Sequence, residues 1–320
     1  MNASHEHLHQ PTTDPLWRES YYFNLLGSDL AAETTIGLRP HQHVAERLVL
    51  VYYRDQTLVL AEPGPLAEFT PSALQGDSVS YHCVVPLAQW HVHITGQFLL
   101  LPPDEKQEIT SFVLKAYSGQ AARRTPVVLD LDFQGMMPPY LYPPAALDFL
   151  GSQTHHYEQV GQWTGTVQVG DDAIQQVTGL GVRDHSWGVR DWLQAEEWYW
   201  VNLLHPDEYL VLAYGRAGAE DWTGGGFIHT GGNTHPLSQI RVQAQCDDTT
   251  MLVGEAQVEA RTDDGRSFLA SIHCQRGVQI VPARGPESLL RMSTNIGAAG
   301  DCAWMLQHGR REQIGASSQS

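Results

Sequence analysis

Residues 90–100, WHVHITGQFLL, alternate between apolar and polar side chains along most of their length. Trp90 and Val92 fall on one face of such a segment, and His91 and His93 fall on the other. A period of two predicts a strand with one buried face. Similar strand-length segments, separated by turns rich in glycine and aspartate, recur along the chain, so we predict an all-β protein. These segments are 47–53, 163–169, 208–214, 239–245, 253–260 and 268–273.

A proline-rich segment divides this pattern. Residues 136–147, MMPPYLYPPAAL, contain four prolines, which disfavour both a helix interior and a central strand. We therefore predict two consecutive β-barrel or β-sandwich domains, over residues 14–150 and 151–314. A polar start followed by a weak period near 3.6 predicts a single helix over residues 104–118.

The charge balance excludes several classes of partner. The chain has 19 Lys and Arg residues against 36 Asp and Glu residues, a formal net charge of −17. Nucleic acids and anionic membrane surfaces are bound mainly through dense cationic patches, so we expect neither as a partner. No apolar run reaches the ~18 residues of a membrane-spanning helix. The first residues lack a signal-peptide pattern, so we expect a cytoplasmic location. The sequence leaves the oligomeric state open.

The densest group of ionisable and aromatic side chains lies in residues 178–202, TGLGVRDHSWGVRDWLQAEEWYWVN. A buried carboxyl group beside an imidazole, as Asp184 and His185 suggest, can retain a proton near neutral pH. Aromatic faces stabilise a nearby cation. The stretch therefore favours acid-catalysed chemistry through a carbocation. The alternative is a purely structural network of ion pairs and packed rings.

Metal and cofactor sites are not predicted. The His91-x-His93 pair has no evident third ligand, and the histidines of residues 1–13 lie in a tail that we expect to be frayed, like residues 312–320. Gly179-x-Gly181 lacks the third glycine of a dinucleotide-binding loop, and no G-x-x-x-x-G-K-[ST] phosphate loop occurs.

The string GLGVRDHSWGVRDW, residues 179–192, resembles the signature of the carotenoid 1,2-hydratase (hydroxyneurosporene synthase) and tocopherol cyclase-like family, in particular its bacterial branch. Shorter matches are WRESYYF at 17–23 and HYEQ at 156–159. The resemblance implies two consecutive lipocalin-like (calycin) β domains, with a ligand cavity near their interface. It also implies an isoprenoid or polyene substrate, and it implicates His185 and Trp187 in activity.

We therefore predict a cofactor-free acid–base enzyme that hydrates, dehydrates or cyclises a terpenoid-like, hydrophobic small molecule through a carbocation. Asp184 and His185 are predicted to act together as the acid and base, and Arg183 and Arg190 to orient the carboxylates. The other predicted site residues are Asp191, as a structural partner; Glu197, as a second acid; Trp187, Trp192, Trp198, Tyr199 and Trp200, which line the cavity; and Trp17, Glu19 and Tyr22, which close it.

Two other functions are compatible with the same sequence. One is a non-catalytic carrier that holds an apolar ligand as lipocalins do. The other is a pericyclase, in which the cavity only preorganises a polyene, so that the shape of the cavity matters and the acid does not.

Overall fold

The structure, a computed structural model, describes residues 1–101, 108–110, 123–151, 153–192, 194–218, 221–247, 251–281 and 288–313. These residues form strands almost throughout, so the predicted all-β class is confirmed. Short 3-10 helices cover Ala3–Glu6, Pro40–Gln42, Pro71–Leu74 and Pro144–Leu150. The strands are β1 Trp17–Leu26, β2 Leu30–Arg39, β3 Val44–Tyr53, β4 Gln56–Pro65, β5 Val79–Val85, β6 Gln89–Leu101, β7 Glu108–Thr110, β8 Arg124–Gly135, β9 Tyr140–Leu141, β10 Gln153–Val169, β11 Gln175–Val189, β12 Ala195–His205, β13 Glu208–Ala217, β14 Thr223–Thr230, β15 Asn233–Cys246, β16 Val253–Thr262, β17 Ser267–His273, β18 Arg276–Val281, β19 Ser288–Ala299 and β20 Cys302–Gln313.

The first compact unit comprises Met1–Glu105, Ala121–Tyr142 and Gln153–Arg190. Its main strands are antiparallel neighbours in the order β1, β2, β3, β4, β6, β8, β10 and β11, and β11 also pairs with β1. The ring of strands is therefore closed, which gives the lipocalin-like barrel that the resemblance implied. The short strands β5 and β9 pair with β6 and β10.

Aromatic side chains pack the interior of this barrel. Phe23 makes edge-to-face contacts with Trp90 and Trp163, each with ring centroids 5.6 Å apart. The strands that close the ring approach each other closely, because a Cβ atom at Gly181 would lie only 1.9 Å from the backbone oxygen of Asn24. Only glycine fits at this position without displacing backbone.

The N-terminal residues pack against the first unit, so the prediction of a frayed tail at 1–13 is wrong. Asn2 caps the 3-10 helix Ala3–Glu6, and Glu6 at its end is 2% exposed. The carboxylate of Glu6 lies 2.6 Å from Nη1 of Arg183 on β11. No local pattern indicates this contact, because its two partners are far apart in the sequence. In the other predicted tail, residues 312 and 313 end β20, and residues 314–320 lie outside the described part of the chain.

The second compact unit comprises Lys106–Gln120, Pro143–Ser152 and Asp191–Ser320. Its strands form one sheet in the order β17, β16, β15, β14, β13, β12, β20, β19, β18 and β7. All of these pairings are antiparallel except the short parallel pair of β7 with β18. The helix predicted over 104–118 is wrong for residues 108–110, which form β7, and its other residues lie outside the described ranges.

The two compact units differ from the domain division predicted at residue 151. Strands β10 and β11 follow the proline-rich segment, but they belong to the first unit. Their hydrogen bonds explain this assignment, since β10 pairs with β8 and β11 pairs with β1. No helix among the described residues is long and apolar enough to cross a membrane.

Candidate functional site

Strand β11 carries the RDHSWG sequence, and its side chains alternate between two faces. His185 lies opposite Tyr21 of β1, a residue of the barrel core, whereas Asp184 lies opposite Tyr22. Consecutive side chains of a strand point to opposite faces of the sheet. The prediction that Asp184 and His185 act as a directly coupled pair is therefore wrong.

On the outer face of the barrel, Asp184 begins a chain of hydrogen bonds that runs onto β10. The hydroxyl of Ser186 donates to Oδ1 of Asp184 at 3.3 Å, and Nδ1 of His156 lies 2.6 Å from the same hydroxyl oxygen. Nε2 of His156 lies 3.0 Å from Oε1 of Glu158, and the hydroxyl of Tyr142 donates to Oε2 of Glu158. The chain therefore joins two carboxyl groups through a hydroxyl and an imidazole.

Burial and neighbouring charges shift the pKa values of Asp184 and His156. Burial raises the pKa of Asp184 to about 6, against the opposing effect of the charges on His156 and Arg190. Burial alone would lower the pKa of His156, but the hydrogen bond and charge of Glu158 outweigh it and raise that pKa. Asp184 therefore exchanges a proton near neutral pH, and His156 holds its proton more tightly than an ordinary histidine does.

The predicted partners Arg190 and Tyr22 also lie near this group. Arg190 is buried and donates from Nη2 to the hydroxyl of Ser20 at 3.0 Å, and its charge lowers the pKa of Asp184. Tyr22 donates to Glu33 at 2.8 Å on the same face. Arg190 thus lies close enough to Asp184 for its charge to lower the pKa of that carboxyl group.

On the inner face, the carboxylate that pairs with His185 is Glu19 of β1. Nε2 of His185 lies 2.7 Å from Oε1 of Glu19, and Nδ1 lies 2.9 Å from the backbone oxygen of His5. His9 adds hydrogen bonds to Glu19 from its backbone N–H and its ring. Burial would raise the pKa of Glu19, but the hydrogen bonds from His185 and His9 lower it, so Glu19 is a carboxylate at neutral pH.

The same three side chains form the one group of the described residues that is suited to hold a metal ion. One ligand atom from each of His9, Glu19 and His185 lies within 4.8 Å of the other two. Neighbouring ligands around a metal ion at ~2.1 Å bond lengths are ~3.0–3.4 Å apart. The Glu19 oxygen instead lies 2.7 and 2.9 Å from the two imidazole nitrogens. These are hydrogen-bond distances, so the geometry is that of a hydrogen-bonded group.

The partner of Arg183 is Glu6, a residue that sequence reasoning missed. Nη1 and Nη2 of Arg183 lie 2.6 and 3.1 Å from the two Glu6 oxygens, and the hydroxyl of Tyr157 and the amide of Leu87 also donate to this carboxylate. Nε of Arg183 donates to Gln159 at 2.8 Å. Arg183 therefore does not orient Asp184, because it lies on the opposite face of β11 and is fully paired there.

Aromatic side chains surround the inner group. Trp187 stacks on the ring of His9 at 3.9 Å and on that of His155 at 5.2 Å. Trp187 also belongs to a small apolar cluster with Trp17 and Tyr157. Trp17, Glu19 and Trp187 therefore lie together, whereas Tyr22, which was predicted to close the same cavity, lies on the other face of β1. His9 beside them was not predicted as a site residue, and its only signal was the His-x-His-x-His spacing at the N-terminus.

Residues 191–200 lie in the second unit and do not form a single aromatic wall. Trp198 and Trp200 lie on one face of β12, and Glu197 and Tyr199 lie on the other, because side chains alternate along the strand. Trp198 packs edge-to-face against Trp192 with centroids 5.4 Å apart.

The two predicted site carboxylates of this region, Asp191 and Glu197, both accept hydrogen bonds from neighbouring side chains. Asp191 accepts a hydrogen bond from the side chain of Gln194 at 3.3 Å. Burial would raise the pKa of Glu197, but hydrogen bonds from His308, Tyr199 and Arg216 lower it to about 2. Glu197 therefore carries a charge at neutral pH, and its predicted role as a second acid is wrong.

Solved structures with a similar fold cover almost the whole chain. The crystal structure of CghA has a TM-score of 0.57 at 10% identity, covering 94% of this chain and 90% of that one. The structure of CghA with Sch210972 has a TM-score of 0.58 at 10% identity, covering 97% and 95%. An AttH-like protein from Nitrosomonas europaea has a TM-score of 0.52 at 10% identity, covering 92% of each chain.

No curated protein sequence matches this chain. A family match, in contrast, covers almost the whole sequence, from residue 2 to residue 300, and the family is described as a domain of unknown function. The chain therefore belongs to the DUF7064 family.

Proposed function

We propose that the protein is an acid–base enzyme that protonates a carbon–carbon double bond in a small, apolar, terpenoid-like molecule. The observation that carries this proposal is the hydrogen-bonded chain from Asp184 through Ser186 and His156 to Glu158. Asp184, at one end of this hydrogen-bonded chain, is only half-buried. General acid–base catalysis is most efficient when the pKa of the side chain lies near the working pH.

The chain of hydrogen bonds supplies Asp184 with a proton. With Ser186 donating to Asp184, both ring nitrogens of His156 face oxygen acceptors, so this arrangement holds a protonated imidazole. Transfer of one proton through the Ser186 hydroxyl leaves a neutral His156 and a neutral Asp184. The acid can then protonate an alkene. Asp184 regains a proton when the cation captures water or a hydroxyl group or loses a proton, and the reverse transfer returns that proton to His156.

The surroundings of Asp184 favour a positively charged intermediate. Glu158 and Glu33 place carboxyl groups on the same face of the barrel, and Tyr22 and Tyr142 place phenol rings there. Carboxylates and the faces of aromatic rings both attract a cation. Capture of the cation by water gives hydration, capture by a hydroxyl group of the substrate gives cyclisation, and loss of a proton gives isomerisation or elimination.

Two further observations support a small-molecule ligand. The first is the resemblance of residues 179–192 to enzymes of isoprenoid hydration and cyclisation. The second is that CghA, whose fold is similar, has been solved with Sch210972. Within this proposal, His185 and Glu19 hold β11, β1 and the N-terminal residues together and position Trp187, whereas Asp184 performs the chemistry.

Deuterium incorporation tests the proposal. The protein is incubated in D₂O with apolar molecules that carry a terminal trisubstituted alkene, such as geranylgeraniol and squalene, and the products are weighed by mass spectrometry. We expect a product with one non-exchangeable deuterium on carbon. Replacing Asp184→Asn is expected to lower its rate of formation by ~10²-fold or more, since it removes the proton donor.

Asp132→Asn is the matched control, because Asp132 is an exposed carboxylate of β8 that pairs with His91. Its rate is expected to stay within about threefold of the wild type, which is ~0.7 kcal/mol of barrier. The proposal is contradicted if Asp184→Asn also stays within threefold. Loss of turnover in Trp187→Ala alone would then favour the pericyclase, and saturable binding without any product would favour the carrier.

A further inference from the structure

The second unit places a thiol, an imidazole and a carboxylate in a line. Sγ of Cys246 lies 3.5 Å from Nδ1 of His308, and Nε2 of the same ring lies 3.2 Å from Oε1 of Glu197. A neutral ring that donates from Nε2 to the carboxylate keeps Nδ1 free to accept the thiol hydrogen. A nucleophile, a base and a group that orients the base are the parts from which proteins build an activated thiol.

Three strands fix this geometry. His308 on β20 lies directly opposite Tyr199 on β12, and the two rings stack with centroids 4.7 Å apart. The side chain of His308 is fully buried, so the ring has little freedom to turn. Cys246 is the last residue of β15 and follows a β-bulge, and it packs against the same core cluster as Val242 and Ala244.

Glu197 is itself held in place at the far end of the line. The hydroxyl of Tyr199 donates to Oε1 of Glu197 at 3.0 Å, and Nη2 of Arg216 lies 3.4 Å from Oε2. These contacts leave the carboxylate charged and aimed at Nε2 of His308. Glu197 therefore acts as a positioning residue for the imidazole.

Cys246 also borders a cleft. Cys246 lines an open cleft of about 530 Å³ together with Leu252, Glu255 and Cys274. Cys274 provides a contrast within this cleft, because its thiol donates to the backbone oxygen of Arg276 at 3.1 Å and burial raises its pKa to about 11. One cleft thus contains a thiol beside an imidazole and a thiol beside a carbonyl.

We propose that Cys246, His308 and Glu197 form a nucleophilic thiol site that captures α,β-unsaturated carbonyl compounds by conjugate addition. His308 takes the proton from Sγ, and the thiolate forms a carbon–sulfur bond at the β carbon. The electron pair of the double bond moves to the α carbon and its carbonyl as an enolate. The protonated imidazole then returns the proton to the α carbon, so the addition is balanced without any other reactant.

Competitive labelling of the full-length protein tests this site. The native protein is treated at pH 7 with less than one equivalent of N-ethylmaleimide, and the modified peptides are quantified by mass spectrometry. We expect Cys246 to react at least tenfold faster than Cys274. In guanidinium chloride the same ratio is expected to fall to about one, because the unfolded chain does not hold His308 beside either thiol.

Two variants separate activation from simple exposure. Glu197→Gln is expected to lower the ratio of Cys246 to Cys274 labelling at least fivefold, and Cys302→Ser, which changes a distant thiol, is expected to leave the ratio unchanged. A native ratio below two would overturn the proposal whether or not the variants fold. A further variant, His308→Gln, is tested in the same way. The proposal would also be overturned if folded Glu197→Gln and His308→Gln proteins both kept the wild-type ratio of Cys246 to Cys274 labelling.

Discussion

Asp184 and His185 show how one peptide bond separates two electrostatic environments. His185 pairs with the carboxylate of Glu19 on the neighbouring strand β1. Asp184 instead lies near the charge of Glu158 and accepts one hydrogen bond from Ser186. The cost of burying a carboxylate decides the charge of Asp184, because the opposing effects of His156 and Arg190 are smaller. Asp184 thus keeps its proton up to about pH 6, whereas the pKa of Glu19 lies below the usual value for a glutamate.

This raised pKa makes stability depend on pH. Between about pH 4, the ordinary pKa of an aspartate, and about pH 6, the folded protein holds a proton on Asp184 that the unfolded chain has lost. Stability contributed by this residue is therefore present at low pH and lost as the pH rises through that interval. The change corresponds to about 3 kcal/mol.

Urea unfolding at several pH values measures this effect. We expect the wild type to lose about 3 kcal/mol between pH 4 and pH 7 relative to Asp184→Asn, which has no such titration. Parallel pH profiles for the two proteins would contradict a raised pKa at Asp184.

At the scale of the element, the strands are predictable one at a time and their partners are not. The alternation over 90–100 corresponds to β6, and the apolar run at 208–214 corresponds to β13. Strands β1 and β11 pair although their residues are far apart in the sequence. The periodicity of a segment indicates that it is a strand but does not indicate its partner. The opposite orientations of Asp184 and His185, in contrast, follow from the strand assignment alone.

The N-terminal residues are the clearest case of an element that only tertiary contacts define. The polar composition of residues 1–13 predicts a frayed tail. Glu6 of this segment nevertheless supplies the charge that neutralises the buried Arg183. When one member of a buried ion pair is removed, the other is left as an uncompensated charge in the protein interior, and this costs several kcal/mol of stability.

Replacing Glu6→Gln is therefore expected to lower the free energy of unfolding by about 3–5 kcal/mol. The matched control is Asp172→Asn, since Asp172 pairs with Arg54 at 3.1 Å on the surface. We expect that variant to lose less than about 1 kcal/mol. Chemical denaturation of both proteins measures the difference, and a loss below 1 kcal/mol for Glu6→Gln would show that the N-terminal residues do not hold Arg183 in place.

At the scale of the whole molecule, the fold class was predictable from the sequence, but the assignment of strands to the two compact units was not. Short alternating segments and the RDHSWG resemblance together indicate two lipocalin-like β units, which the structure has. A proline-rich segment is a reasonable place for a boundary, but β10 and β11 return to the first unit and close its barrel. The predicted site was divided for the same reason, with Arg183–Arg190 in one unit and Asp191–Trp200 in the other.

The central claim is that Asp184, a half-buried residue, exchanges a proton near neutral pH. Carbon-13 NMR of aspartate-labelled protein measures this directly, with the Asp184 carboxyl signal assigned by its absence from Asp184→Asn. We expect its chemical shift to change with a midpoint near pH 6. A midpoint at or below about pH 4, the value of an ordinary aspartate, would contradict the account.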